Sequence, residues 1–517
     1  MHCVYRLCSM KMRDLIPGPL RPIVRALRNA VMAAKNQVAW CMYIRIPEPW
    51  VAAYMRTSVR RRDKELAATG HAIQTQMRPR LAVAVDPRVP RQAWAARLEG
   101  GVWTIRAGIA VEIRGDALYE GVWAGEFGPF RPWEASHQFG SGLVLEQAWL
   151  RCLPPKHPYE CLWVLQHSGQ SFTVVSNSLA YALVAAGIGR ELAGTLAPVL
   201  QNSTFAAQAK GMDRADLRVA RLNGWDLYRC VYHDVMISSS GHISRRWMPP
   251  DPGPRNWHDY ESVLVKTVKM LADNGQDASR ANRYSLLTSI SSGYDSVATA
   301  AVARQAGCAR AVTLNFRVAK EGRSDSGRSL GEQLGMQIGE YRHVMGEYVR
   351  TLALDFDESL AHESAEFVAT AGIGDDVAFR PFESQLVDAI FLSGAWGDSI
   401  WERKRIVRMG VPLGVPYGKS LGEFRLRVGF VHVPLPTIGG RNPIPIKRLG
   451  ASRELAPWSV GGDYDRPIAR RFAEEAGLQR GTFAAEKAYA APMVRNCNAL
   501  FPAAMAAVMS RYNWPGM

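Results

Sequence analysis

The chain has 517 residues, 47% of them hydrophobic and 21% charged, close to globular averages. Wholesale disorder and collagen-like repeats are excluded, and a chain of this length buries a core without disulfide or metal staples. Lys and Arg number 63 against 47 Asp and Glu, a formal charge of +16 that suits an anionic partner but says nothing of fold. Residues 1–65 hold 13 of the bases and 4 of the acids, so more than half of the excess sits in a preface. The remaining 452 residues carry about +7, an unexceptional excess.

The preface, residues 1–80, contains RPIVRALRNAVM from Arg21 to Met32. Ile23, Leu27, Val31 and Met32 share one side at helical spacing, and Arg21, Arg25 and Arg28 share another. Arg60, Arg61 and Arg62 follow. This is a basic amphipathic helix touching lipid or RNA, or a poorly ordered extension, the extension being preferred. Asp14, Pro17 and Pro19 interrupt any signal-peptide core, and no run of about 18 apolar residues predicts a transmembrane segment. The eight cysteines, Cys3, Cys8, Cys41, Cys152, Cys161, Cys230, Cys308 and Cys497, form no C-x-x-C pair. Free thiols in a cytoplasmic chain are expected, and a zinc site is not.

Residues 81–250 read as a β-rich domain. Strand-like runs fall at 81–85, 102–105, 161–165, 172–175, 226–228 and 235–237, punctuated by Gly, Pro, Asp and Ser. Asn177 and Ser178 precede a helix over 179–184 that ends near Gly187. Residues 249–256, PPDPGPRN, predict a linker. From 255 to 517 strands and helices alternate. Helix 262–272, strand 284–290, helix 296–305 ended by Gly307, strand 311–316 and helix 326–334 give the rhythm of a doubly wound parallel sheet.

The most informative stretch is the strand 284–290 running into Ser291, Ser292, Gly293, Tyr294, Asp295 and Ser296. Small residues let the backbone approach a ligand, and successive N–H groups at a helix start make an anion cradle. The carboxyl edge of such a strand is where open α/β sheets bind ligands. The plainer reading is a tight turn capped by Ser292 or Asp295. The helix behind, 297–303, is apolar nearly all round and so predicted buried.

The segment 291–296 closely resembles the S-G-G-x-D-S signature of the PP-loop ATP pyrophosphatases, with Ser292 in place of the middle Gly. Residues 392–398, Leu-Ser-Gly-Ala-Trp-Gly-Asp, resemble the L-S-G-x-G-x-D segment of the asparagine-synthetase-like branch. The resemblance covers residues 255–500 in order and spacing. It implies ATP bound at Ser291, Ser292, Gly293, Tyr294, Asp295, Ser296, Leu314 and Gly394. It implies Mg²⁺ held by Asp295 and Asp398, two carboxylates sufficing for an ion that keeps phosphate oxygens and waters. Residues 321–325, ending at Asp325, resemble the acidic segment after the second strand. Lys487, after a helix capped by Asp465 and ended by Gly477, resembles the late Lys at the α-phosphate. Catalytic roles are thus expected of Lys487, Asp295 and Asp398.

Upstream, 163–165, 174–179 and 222–247 weakly resemble the family's N-terminal glutaminase-like (Ntn-like) layer. That enzyme needs an N-terminal Cys. Here the chain begins Met1-His2-Cys3, and the large His2 argues against Met removal, so a degenerate scaffold is expected. A second departure is Ala395, where the family commonly has Glu or Tyr for the amide-forming step. Alanine cannot remove a proton, and Glu402, Glu383 and Asp376 are the substitutes considered. Gly418-Lys419-Ser420 suggests a Walker A loop, but the required earlier Gly falls at Leu413, and it is rejected.

The expected function is an ATP- and Mg²⁺-dependent ligase resembling asparagine synthetases, β-lactam synthetases and lasso-peptide macrolactam synthetases. A small-molecule or peptide carboxylate is adenylated, pyrophosphate leaves, and ammonia or an amine gives an amide. A precursor peptide or partner protein is a further expected partner, and nucleic acid is not. A tRNA-modifying PP-loop enzyme and a non-catalytic nucleotide-binding protein are the alternatives.

Overall fold

The computed structural model describes residues 81–147, 149–169, 172–200, 218–246, 248, 251–315, 324–342, 365–370, 376–403, 421–462, 464–484 and 497–515. The preface with its basic stretch and Cys3, the Gly418–Ser420 decoy and Lys487 lie outside the described residues.

The first half folds into two stacked sheets. One has seven strands in the spatial order β1 (Leu81–Val85), β3 (Val102–Ala107), β2 (Trp94–Glu99), β9 (Thr173–Ser176), β8 (Leu162–His167), β11 (Trp225–Cys230) and β10 (Arg218–Leu222). The other has six, β13 (Ile243–Arg246), β12 (Asp234–Ser238), β7 (Trp149–Leu153), β6 (Gln138–Glu146), β5 (Ala117–Trp123) and β4 (Glu112–Arg114), all antiparallel. Alternate residues of both sheets meet in one core, with Trp94, Trp103, Leu150, Val164 and Val235 among them. That period-two alternation is what a strand with one face on a core imposes. The helix Leu179–Ala185 covers the outer face of the larger sheet. The Ser178 hydroxyl caps it by accepting from Tyr181 N–H at 2.9 Å, and Gly187 follows at φ 73°.

The second half is a mixed α/β unit around a five-stranded parallel sheet. Its order is β16 (Gln337–Arg342), β15 (Arg310–Asn315), β14 (Ser285–Ser289), β17 (Ala389–Ser393) and β18 (Val431–Pro434). The chain winds outward from β14 in one direction, then returns to β17 and winds outward in the other. Helices cover both faces. Leu392 of β17 and the helices Trp257–Gln276 and Tyr294–Gln305 pack on one side, and Phe391, Phe382 and Phe424 on the other. As the composition of 297–303 predicts, every residue of that stretch is buried.

Buried contacts tie the two halves together, Arg425 to Glu120 and Ser178 to Glu423 among them. Asp251, in the Pro/Gly-rich stretch, is buried and accepts from Arg441 Nε at 2.9 Å. The final helix, Cys497–Met509, returns to the first half, where Phe501 and Met505 pack beside Tyr181. No helix among the described residues is long and apolar enough to cross a membrane.

Candidate functional site

Strand order places the site. The winding reverses between β14 and β17, and side-by-side strands whose connections diverge leave a crevice at their carboxyl ends. The turn 291–296 leaves β14 there, and the turn 394–398 leaves β17.

The first turn is closed on itself. Ser291 N–H donates to Ser296 Oγ at 3.0 Å, the two hydroxyl oxygens lie 2.8 Å apart, and Gly293 N–H donates to Ser291 Oγ at 3.3 Å. Ser292 N–H donates to the Asp325 carbonyl at 3.1 Å. These three amides are therefore spent within the protein, contrary to the cradle of N–H groups expected from sequence. The N-terminal turn of the helix Tyr294–Gln305 supplies the positive dipole end instead. Neither Ser292 nor Asp295 caps that helix; Gly293 stands at its N-cap without a side-chain bond.

The second turn interlocks with the first. A Cβ on Gly394 would stand 2.5 Å from the Asp295 carbonyl carbon, and one on Gly397 would overlap the Asp295 carboxyl group. Between them Trp396 is buried at φ 77°, the left-handed region that favours glycine. Asp398 lies in the short helix Gly397–Ile400 that follows.

A guanidinium from a third segment completes the charge pattern. Arg466, whose side chain is 3% exposed, donates through Nη1 to Asp295 Oδ2, and its Nη2 lies 3.5 Å from Glu402 Oε2. Its Cζ stands 4.8 Å from the Tyr464 ring centroid. Burial opposes the Arg466 charge, and Asp295, Tyr464 and Asp398 more than restore it, raising the pKa. Asp325 is also buried and accepts the Ser292 hydroxyl proton. Burial pushes this carboxyl up to about 6, against the opposing pull of the Ser292 bonds.

The crevice has a volume of about 250 Å³. Ser291, Asp295, Ser296, Asp325, Ser393 and Arg466 form a polar wall. Val312, Leu314, Phe379, Phe382 and Ala395 form an apolar one. Such a division suits a ligand with a flat apolar part and an anionic part.

The residues singled out from sequence divide accordingly. Ser291, Gly293, Tyr294, Asp295, Ser296, Leu314 and Gly394 line the crevice. Ser292 instead turns its hydroxyl to Asp325. Tyr294 is buried, and Arg470 donates to its hydroxyl, so this side chain ties the first turn to the helix Pro467–Glu475. Among the substitutes for the base missing at Ala395, Glu402 reaches the site through Arg466. Glu383 is held in a two-pronged pair by Arg427 at 2.7 and 2.9 Å. Asp376 begins the short helix Asp376–Phe379. Among the described residues no group of three or more His, Cys, Asp and Glu side chains could hold a metal.

Sequence reasoning missed Arg466. Asp465 was expected to cap the following helix, but its carboxylate accepts from Ser459 Oγ at 2.6 Å and Val460 N–H at 3.0 Å. Arg466 holds the N-cap position, with Pro467 first in the helix. A cation at a helix N-terminus opposes the dipole. That local conflict is the signal a reader could have used, since broken local rules mark sites.

No protein-family model matches this chain, and no curated protein matches it.

Proposed function

We propose that the crevice binds ATP and activates a carboxylate by adenylation, in the manner of an asparagine-synthetase-like PP-loop ligase. The supporting observation is the interlock at the reversal point. Two glycines bring the 394–398 turn against Asp295, and Asp295 and Asp398 both act on the buried Arg466. In this reading Leu314 and the apolar wall take the adenine, and the backbone at Gly394 borders it. The helix N-terminus and Arg466 face the phosphates. Asp295 and Asp398 would hold Mg²⁺, which when bound draws charge from the phosphates.

The substrate carboxylate oxygen bonds to the α-phosphorus, the α–β bridging P–O bond breaks, and pyrophosphate leaves with the electron pair. An amine or ammonia nitrogen then bonds to the acyl carbon, the acyl C–O bond breaks, and AMP leaves as the nitrogen sheds its proton. Arg466 is already fixed and dry where negative charge grows, which strengthens its effect. The two stacked sheets of the first half are compatible with a degenerate glutaminase-like scaffold. The buried free thiols of Cys152 and Cys308 suit a reducing, cytoplasmic setting.

The test is ATP-dependent pyrophosphate release over a panel of carboxylates and amines. Asp295→Ala should lower it by about 10²–10³-fold, the scale of losing a charge-stabilising group. A variant as active as the wild type overturns the reading. Ala395 favours a second reading, nucleotide binding without turnover. It would show as ATP binding with no pyrophosphate released for any acceptor.

A further inference from the structure

Beside the crevice stands a hydroxyl–imidazole pair that the proposed reaction leaves unused. Ser393, the last residue of β17, lines the crevice, and its Oγ lies 2.8 Å from Nε2 of His432 on the adjacent β18. His432 is buried among rings, with Phe391 at 6.2 Å, Tyr159 at 5.6 Å and His157 at 6.2 Å between centroids. Among the described residues its Nδ1 has no hydrogen-bond partner.

Hydrogen-bond accounting then decides where the protons are. Burial, with Arg425 nearby, pulls the His432 imidazole down to about 3, so it is neutral around pH 7. His157, the other imidazole facing it, is likewise held neutral by burial. A neutral imidazole carries one N–H. On Nδ1 that N–H would be buried with no acceptor, and orphaned buried N–H groups are rarer than unfilled acceptors. The proton therefore sits on Nε2 and is donated to Ser393 Oγ. Ala395 N–H donates to the same oxygen at 3.4 Å. Both lone pairs of the hydroxyl are filled, and its own proton has to find an acceptor elsewhere.

We propose that His432 is a positioning residue that fixes Ser393 as a hydrogen-bond donor into the crevice, where it meets an anionic oxygen of the ligand, phosphate or carboxylate. The ligand half rests on the nucleotide-binding reading above, and the tautomer half does not. Ser393 is suited to this because the neighbouring Gly394 packs directly on the start of the helix that faces the phosphates. The pair carries no net charge and does not titrate around pH 7, so its contribution is flat there.

Long-range ¹H–¹⁵N NMR on histidine-labelled protein reads the tautomer. The Nε2–H form of His432 is expected from pH 6 to 8, and the Nδ1–H form overturns the proposal whether or not the chain uses ATP. Calorimetry with ATP, AMP and inorganic pyrophosphate, each with Mg²⁺, then locates the acceptor. Ser393→Ala and His432→Leu should each weaken binding about tenfold, the scale of one hydrogen bond to a charged group. His432→Gln keeps an N–H near the Nε2 position and should recover most of the loss, which a merely structural role would not predict. Weakening of ATP and pyrophosphate alike assigns the terminal phosphates, and weakening of ATP and AMP assigns the α-phosphate. Unchanged affinities with a raised KM for the carboxylate assign the carboxylate. Unchanged affinities with an unchanged KM overturn the ligand half, and a wild type that binds none of the three overturns the nucleotide reading itself.

Discussion

Arg425 and Arg466 look alike in isolation, since each side chain is 3% exposed and each faces carboxylates. Their surroundings differ. Arg425, on the helix Gly422–Val428, reaches from the second half into the first. It bonds Gln92 Oε1 and Glu120 Oε2 at 2.8 Å, the Phe430 carbonyl at 3.2 Å, and pairs with Glu160 at 2.9 Å. Glu120 and Glu160 are themselves 0% and 6% exposed, and the cavity that Glu160 and Arg425 line, about 30 Å³, has room for about one water. Arg466 faces Asp295 and Glu402, 20% and 18% exposed, at the mouth of a crevice eight times larger. Burial of the cation does not separate structural glue from a binding site. Exposure of its anions does, because only accessible anions can exchange the guanidinium for a ligand.

The largest expected effect tests that contrast directly. Arg425→Leu strands Glu120 in the seam and should cost about 3–5 kcal/mol of stability, as for a broken buried ion pair. Arg466→Leu leaves carboxylates about one-fifth exposed, which water can solvate in part, and should cost less, about 1–3 kcal/mol. Urea unfolding of both variants provides the measurement. Equal losses would break the comparison.

Asp325 should give the next largest effect, and a pH dependence. Its pKa is raised from 3.8 to about 6, so the folded chain keeps a proton that the unfolded chain releases between those values. Stability therefore falls as pH rises from about 4 to about 6, by at most about 3 kcal/mol, and this contribution is flat outside the window. Asp325→Asn keeps an oxygen for Ser292 but cannot ionise. Its unfolding midpoint should lose the part of the pH slope that this window contributes to the wild type. Identical slopes for the two proteins would show that the carboxyl is not the group responsible.

Gly397→Ala probes the interlock. The added methyl must displace the Asp295 carboxyl, an overpacking cost of about 1–3 kcal/mol. We expect it to fall mainly on ATP affinity, since the carboxyl can swing toward the open crevice. Equilibrium titration of ATP alongside a thermal melt separates the two. A lowered melting temperature with unchanged ATP affinity would assign Gly397 to folding alone.

Much of this was legible in the sequence wherever the cause is local. The apolar helix 297–303, the strand before the 291–296 turn and the left-handed Gly307 all follow from short-range pattern. What was missed has distant causes. β5 reads ALYEGVW, and its buried Glu120 spoils a strand pattern because its partner, Arg425, lies 305 positions away. β6 carries Gly140 and Gly142, poor strand residues on propensity, yet a Cβ on Gly142 would stand 2.7 Å from the Tyr119 ring. Asp295 and Asp398 could be named from motif spacing, but nothing near them in sequence names Arg466, 171 positions beyond Asp295.

The smallest effect sorts two carboxylates that sequence could not separate. Glu383 and Glu402 were both considered for the base missing at Ala395, and only Glu402 contacts the crevice cation. The Arg427 hydrogen bonds hold the Glu383 carboxyl below its ordinary 4.5, against the opposing effect of burial. A lowered pKa means that the pair adds stability above the unfolded value and loses it as pH falls through the folded one. Both side chains are about one-third exposed, so solvent screening limits the gain to less than about 1 kcal/mol. Glu383→Gln should therefore be slightly less stable than wild type at pH 7, indistinguishable from it in acid, and unchanged in both pyrophosphate release and amide formation. Glu402→Gln should alter activity with little change in stability. Loss of amide formation in Glu383→Gln with pyrophosphate release intact would reverse the assignment, and would require the Arg427 pair to open when substrate arrives.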